Sequence, residues 1–258
     1  METGMERWLL VGATVVVVLS GALGMQAVRS GHRSRWTMVL MTLAFLMQLG
    51  VLGIRGDLRG QCPLGDFGEI LIFLAWSLVL FYLVVGSAYR ISLLGLFTAP
   101  VVAVFQVVAL APGLLEATPE RVAVVDPWRE AHAAFSVLSY GAFALAAVAG
   151  LMFLVLNRQL KDHNLGTGLF RNMPPVPALL ESVVRLTWLG VIILAVGLAC
   201  GFLMKESASG PKLLAGVITW ALYFVIMVVH AWRGMTPRRF SMGIMGVFVS
   251  SLLVFAFV

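Results

Sequence analysis

Trp8-Leu9-Leu10-Val11-Gly12-Ala13-Thr14-Val15-Val16-Val17-Val18-Leu19-Ser20-Gly21-Ala22-Leu23-Gly24-Met25-Gln26-Ala27-Val28 is one apolar block, followed at once by Arg29, Arg33 and Arg35. A helix needs about 20 mostly apolar residues to cross the hydrocarbon layer of a bilayer, and this block has them. It is too long for the apolar core of a signal peptide, and Met1 to Arg7 carries Glu2, Glu6 and a single arginine, so it lacks the positive leader. The block reads as a first membrane span.

Seven more blocks follow, at about 36–54, 68–88, 91–111, 132–156, 186–204, 213–232 and 240–258. The backbone finds no water in the bilayer core, so each block must satisfy its own hydrogen bonds as a helix. Composition agrees. Of 258 residues, 60% are hydrophobic and 12% charged, and mean hydropathy is +0.98. Soluble domains carry roughly twice that charge. The expected fold is an all-α integral membrane protein, a bundle of eight transmembrane helices forming one domain over residues 1–258. Pro100 falls inside the fourth span, where a kink is expected.

Loop charge sets the orientation. Arg29, Arg33, Arg35, Arg90, Arg158, Lys161, Arg171, Arg185, Arg233, Arg238 and Arg239 lie on one side. Arg7, Arg55, Arg59, Arg121, Arg129, Lys205 and Lys212 lie on the other. Eleven against seven makes the first side cytoplasmic and places both termini outside. The net charge of +6 therefore meets lipid headgroups, and nucleic acid is not an expected partner. Two loops are long, about 112–131 and 157–185. The second ends in an amphipathic stretch, Ala178 to Arg185, which is either a surface-lying segment or the start of a long helix.

The sequence has no G-x-S-x-G, no H-E-x-x-H and no phosphate-cradling glycine loop, and Cys62 and Cys200 form no C-x-x-C pair. Of four histidines, His32 and His163 fall in basic loops. His132 and His230 fall at or inside spans, where a polar group is costly and function is the default hypothesis. His132 shares a helix face with Ser136, Ser139 and Phe143. That pattern fits either a ligand aimed into the bundle or an interfacial histidine with serines as helix–helix contacts. Trp220, Tyr223 and Met227 precede His230 on one stripe. They suit a flat apolar cofactor with a metal centre, or plain packing; Arg233 lies just beyond. Lys212 to His230 is roughly 27 Å along a helix axis, so His230 lies near the inner face and His132 near the outer one. The two cannot grip one iron. Asp66 and Glu69 open the third span, where the helix dipole favours carboxylates; they orient a histidine, bind a cation or cap the helix. Glu69, Gln48 and Gln106 also fit a path for a cation or small solute, and a purely structural subunit of a larger membrane complex is a further reading.

The stretch Cys62-Pro63-Leu64-Gly65-Asp66-Phe67-Gly68-Glu69-Ile70-Leu71-Ile72-Phe73-Leu74-Ala75-Trp76 resembles the P-L-x-N-x-x-E-S-L-x-F-L-x-W segment of the CcsA-type cytochrome c assembly proteins. Leu96-Phe97-Thr98-Ala99-Pro100, His132 with Ser139-Tyr140, Leu179-Leu180-Glu181 through Gly197 and Gly201, and Thr219-Trp220-Ala221-Leu222-Tyr223 with His230 follow in the family's order, over roughly residues 61 to 246. The resemblance implies noncovalent haem, b-type, bound or moved outward across a bacterial inner membrane for cytochrome c-type biogenesis, with a membrane partner subunit. It makes His132 an outer haem-iron ligand and His230 a ligand of a membrane-embedded haem. The family's synthases carry a tryptophan-rich outer loop, whereas Met204 to Lys212 contains no tryptophan. The pattern is more similar to the HemX-like and YpjD-like members, so autonomous synthase activity is not expected.

Overall fold

A computed structural model describes residues 4–30, 35–89, 92–115, 125–161, 176–204 and 210–257. The described residues form eight α-helices: α1 (Met5–Ser30), α2 (Trp36–Arg59), α3 (Phe67–Tyr89), α4 (Ser92–Ala109), α5 (Pro127–Lys161), α6 (Val176–Phe202), α7 (Gly210–Arg233) and α8 (Pro237–Phe257). Six of them, α1, α2, α3, α5, α6 and α7, are long and apolar enough to cross a membrane, and α4 is a shorter apolar helix. Trp8, Trp36 and Trp128 stand within the first turn of their helices and Trp232 within the last turn of α7, all exposed, Trp232 at 87%. Tryptophan at span ends is the signature of a membrane–water boundary. This is a multi-pass membrane protein.

Local chemistry sets the boundaries. Gly60 ends α2 at φ 68, its N–H donating to the Gly56 carbonyl at 2.8 Å, a left-handed cap that glycine adopts without strain. Gly234, at φ 66, follows α7, and Pro237 opens α8 at the position where a missing N–H costs nothing. Asp126 caps α5: its Oδ1 accepts from the Trp128 N–H at 3.1 Å.

Three helices outrun their apolar blocks, because polar residues extend them. α2 continues past residue 54 to Arg59, so Arg55 and Arg59, read from sequence as loop residues, belong to its last turns. α5 begins at Pro127 rather than 132 and has 35 residues, about 52 Å of rise, more than the hydrocarbon layer. His132 is thus in its second turn. α6 begins at Val176, so Ala178 to Arg185 is the start of a long helix. Pro119, His32, His163 and Arg171 lie outside the described residues.

Contacts group the helices into two compact units, α1–α4 and α5–α8. In the first, Leu10, Val51, Leu71 and Ile72 form an apolar core. Gly68 there donates its N–H to the Leu114 carbonyl at 2.7 Å, and a Cβ on it would stand 2.5 Å from that oxygen, so only glycine fits.

In the second unit, α5 and α6 pack antiparallel along a row of glycines. A Cβ on Gly190 would stand 2.4 Å from the Phe143 ring, one on Gly197 3.1 Å from Ser136, and one on Gly201 2.7 Å from His132. Each step of seven then four residues along α6 is matched by the same step back along α5, so the helices hold one register throughout. Small residues let membrane helices approach closely where apolar burial supplies no drive between them. Gly190→Ala is expected to cost about 1–3 kcal/mol by overpacking a fully buried phenylalanine. Thermal unfolding in detergent measures it; an unchanged midpoint refutes this account of the seam.

Candidate functional site

His132 sits in the α5–α6 seam with its ring against Gly201. Its Nδ1 lies 2.7 Å from the Gly197 carbonyl oxygen. A carbonyl only accepts, so Nδ1 is the donor, and in the neutral ring Nε2 then carries the lone pair. This is the arrangement in which a backbone carbonyl orients a histidine for metal ligation. Ser136 and Phe143 line the same seam, while the Ser139 hydroxyl donates to the Ser136 carbonyl at 2.6 Å. This face lies in the α5–α6 seam, with Ser139 turned onto its own helix. Gly201→Ala forces the ring aside and breaks the Nδ1–Gly197 bond. In ¹⁵N spectra, His132 should change from a single Nδ1-protonated tautomer to a mixture; an unaltered tautomer would count against the assignment.

His230 lies in the last turn of α7, half-buried and stacked on Phe240 of α8, with ring centroids 4.2 Å apart. Its Nδ1 is buried and has no hydrogen-bond partner. Buried polar atoms are nearly always paired, so an orphan asks for an explanation. Of the stripe before it, Tyr223 is fully buried with its face stacked on Phe143 at 3.8 Å and 8°, and Met227 is buried too. Trp220 stacks on Phe224 and donates its Nε1–H to the Val191 carbonyl at 3.1 Å. The three residues are held by protein contacts, so the flat surface read from the sequence is already covered by aromatic rings. Arg233 is exposed at the end of α7.

The Phe143–Tyr223 stack sets the relative heights of the two histidines. His132 is eleven residues before Phe143 on α5, and His230 is seven residues after Tyr223 on α7. Helices α5 and α7 run parallel, since each is antiparallel to α6, so the imidazoles are separated by about 27 Å of helix rise.

Asp66 and Glu69 lie in the first unit, at the start of α3. The Glu69 N–H donates to Asp66 Oδ1 at 2.7 Å, and Glu69 Oε2 accepts from the N–H groups of Gly65 and Asp66 at 2.8 and 3.3 Å. That is a reciprocal capping box at the start of α3. The other oxygen, Oε1, accepts from Arg55 Nε at 2.8 Å and Arg59 Nε at 2.7 Å. Arg55 also reaches Glu6 Oε1 at 3.1 Å and Asp66 Oδ2 at 2.7 Å, and Arg59 meets the same Asp66 oxygen at 3.1 Å. All five side chains are buried. No local pattern signals the convergence of Glu6, Arg55 and Arg59, because it depends on three helices meeting. Gln48 and Gln106 are fully buried in this unit with their amides unpaired.

Structure and chemistry define a multi-pass helical membrane protein with two histidines at span ends. The chain matches the family described as cytochrome C assembly protein over residues 64–258. It therefore belongs to that family. It is similar to the "Cytochrome c biogenesis protein CcsA" of Porphyra purpurea, 26% identical over 77% of each chain. The like-named protein of Crocosphaera subtropica is 26% identical over 76% of this chain and 77% of its own. That of Synechococcus sp. strain CC9605 is also 26% identical, over 87% and 84% respectively.

Proposed function

We propose that this chain binds haem noncovalently, as b-type haem, at two stations, and passes it toward the outer face of a bacterial inner membrane in cytochrome c-type biogenesis. The observation that carries the reading is the 2.7 Å contact between His132 Nδ1 and the Gly197 carbonyl, which in the neutral ring leaves Nε2 to ligate iron. The orphaned Nδ1 of His230 supports a second ligand, 27 Å of helix away by the rise of about 1.5 Å per residue. Between the two heights stands the Phe143–Tyr223 stack, which anything travelling from one station to the other must pass.

In this reading all eight helices span, both termini lie outside, and the eight form one membrane domain. Haem iron, when bound, would take the imidazole nitrogens as ligands; the protein's part is to orient His132 by the Gly197 carbonyl, to stack His230 on Phe240 and to keep the stations apart. Missing axial ligands come from a partner membrane subunit of the assembly system or from water. Without tryptophan between Met204 and Lys212, the chain delivers haem rather than attaching it. Absorption spectra of protein purified in detergent, after expression with ample haem, test this. A Soret band is expected, and a colourless preparation would sink the proposal.

A further inference from the structure

Two carboxamides are buried in the α1–α4 unit with nothing to bond. Gln48 of α2 and Gln106 of α4 are fully buried, and both the nitrogen and the oxygen of each lack a hydrogen-bond partner among the described residues. The indole Nε1 of Trp76 on α3 is buried and idle too, as is Glu6 Oε2 on α1. Buried polar groups are nearly always paired, and inside a membrane no bulk water relieves them.

Helix register brings these groups to one level. A Cβ on Gly12 would stand 2.7 Å from Met47 and one on Gly50 3.1 Å from Leu9, which sets Gln48 of α2 level with Val11 of α1. Gly21 meets Ala99 and Gly24 meets Leu96 in the same way, at 3.3 and 3.8 Å. Carried along that antiparallel pair, the register sets Gln106 level with Thr14. The Phe45–Trp76 stack, with centroids 5.3 Å apart, puts Trp76 at the level of Phe45 and hence of Thr14. The two amides and the indole therefore fall within about 4.5 Å of helix rise. Glu6 lies about 7.5 Å of rise above Gln48, on the way to the ionic cluster at the helix ends. The Thr14 hydroxyl has its proton committed to the Leu10 carbonyl at 2.8 Å.

The chemistry of the idle atoms selects the ligand. Each amide offers an unused donor and an unused acceptor, the indole a donor and Glu6 an acceptor. A cation would satisfy the oxygens and leave the N–H groups stranded, and an anion would do the reverse. Both ends of each amide are idle, so this holds whichever way either is turned. A small neutral molecule that donates and accepts at once answers the whole set, and buried water does so with about three hydrogen bonds apiece. We propose that Gln48, Gln106 and Trp76 enclose an internal water site, a small cluster that bridges the two amides and the indole and runs toward Glu6 Oε2. It hydrogen-bonds α2, α3 and α4 together inside the apolar layer, where each polar group would otherwise weaken the packing. The site rests on nothing in the haem reading.

Water-edited magic-angle-spinning spectra of the ¹⁵N-labelled protein in lipid bilayers test it. The chain has five glutamines, so the side-chain NH₂ signals are few, and Gln48→Leu and Gln106→Leu assign two of them by loss. Gln48→Asn and Gln106→Asn, which keep an amide, supply the assignment if a leucine variant does not fold. Magnetisation that starts on water should reach both NH₂ groups and the Trp76 Nε1–H well before the backbone amides of Leu10 and Ile72, which are fully buried in the same unit. In Gln106→Leu, Gln48 and Trp76 should lose that early transfer, because the water loses one side of its cage. Side-chain signals as slow as Leu10 in the unaltered protein overturn the proposal, since the amides then pair with each other or with something other than water. Early transfer at Gln48 that survives Gln106→Leu overturns the shared site.

Discussion

Arg55→Ala is expected to destabilise the protein by about 3–5 kcal/mol, the cost of removing one partner from a buried ionic cluster. Arg55 is fully buried and each of its three guanidinium nitrogens meets a different carboxylate, those of Glu69, Glu6 and Asp66. Without it, Glu6 loses its cation in the cluster and Arg59 is left to balance both Asp66 and Glu69, so repulsion adds to the desolvation cost. Arg55→Lys should recover only part of the loss, because a single ammonium cannot match a planar fork that serves three acceptors. Glu6→Gln should cost less, since Glu6 reaches the cluster through one oxygen while its other is unpaired. Glu181→Gln removes the exposed pair with Arg185 and should cost no more than about 1 kcal/mol. Thermal unfolding in detergent ranks the four. If Arg55→Ala falls with Glu181→Gln, the cluster is not what joins α1, α2 and α3.

The same cluster shows where sequence reading reaches its limit. Apolar blocks reveal their helices because span length and backbone satisfaction are local demands that one segment meets alone. Asp66 and Glu69 were legible as helix-opening acids for the same reason, three residues apart at the start of a block. Glu6 lies 49 residues from Arg55, and no local pattern links them. Arg55 and Arg59 looked like loop cations because charge normally ends a span; here the carboxylates of two other helices let the helix continue. The glycine row behaves likewise. Gly197 and Gly201 entered only through the family resemblance and His132 as a polar group at a span end, but their meeting required the register of α5 on α6. The stripe before His230 left a flat cofactor and plain packing both open, since periodicity says which residues point together and not what covers them; Tyr223 stacks on Phe143 and Trp220 on Phe224.

His132→Ala and His230→Ala should each remove part of the bound haem, and the double variant should lose the sum of the two. Sites more than about 7–10 Å apart with no shared partner behave additively, and these imidazoles stand roughly 27 Å apart in helix rise. Each single variant should therefore keep a Soret band belonging to the other station, with a distinct maximum or redox midpoint. Gly201→Ala should reproduce the spectrum of His132→Ala, because it displaces that ring and leaves His230 on Phe240 untouched. Phe143→Ala, which opens the stack between the stations, should leave both bands in place and speed exchange of haem between them. Haem content by pyridine haemochrome and spectra of the five variants decide the matter. If either single variant empties the protein and the double adds nothing, the two rings serve one iron, and the separation that the α5–α7 packing imposes would have to be wrong.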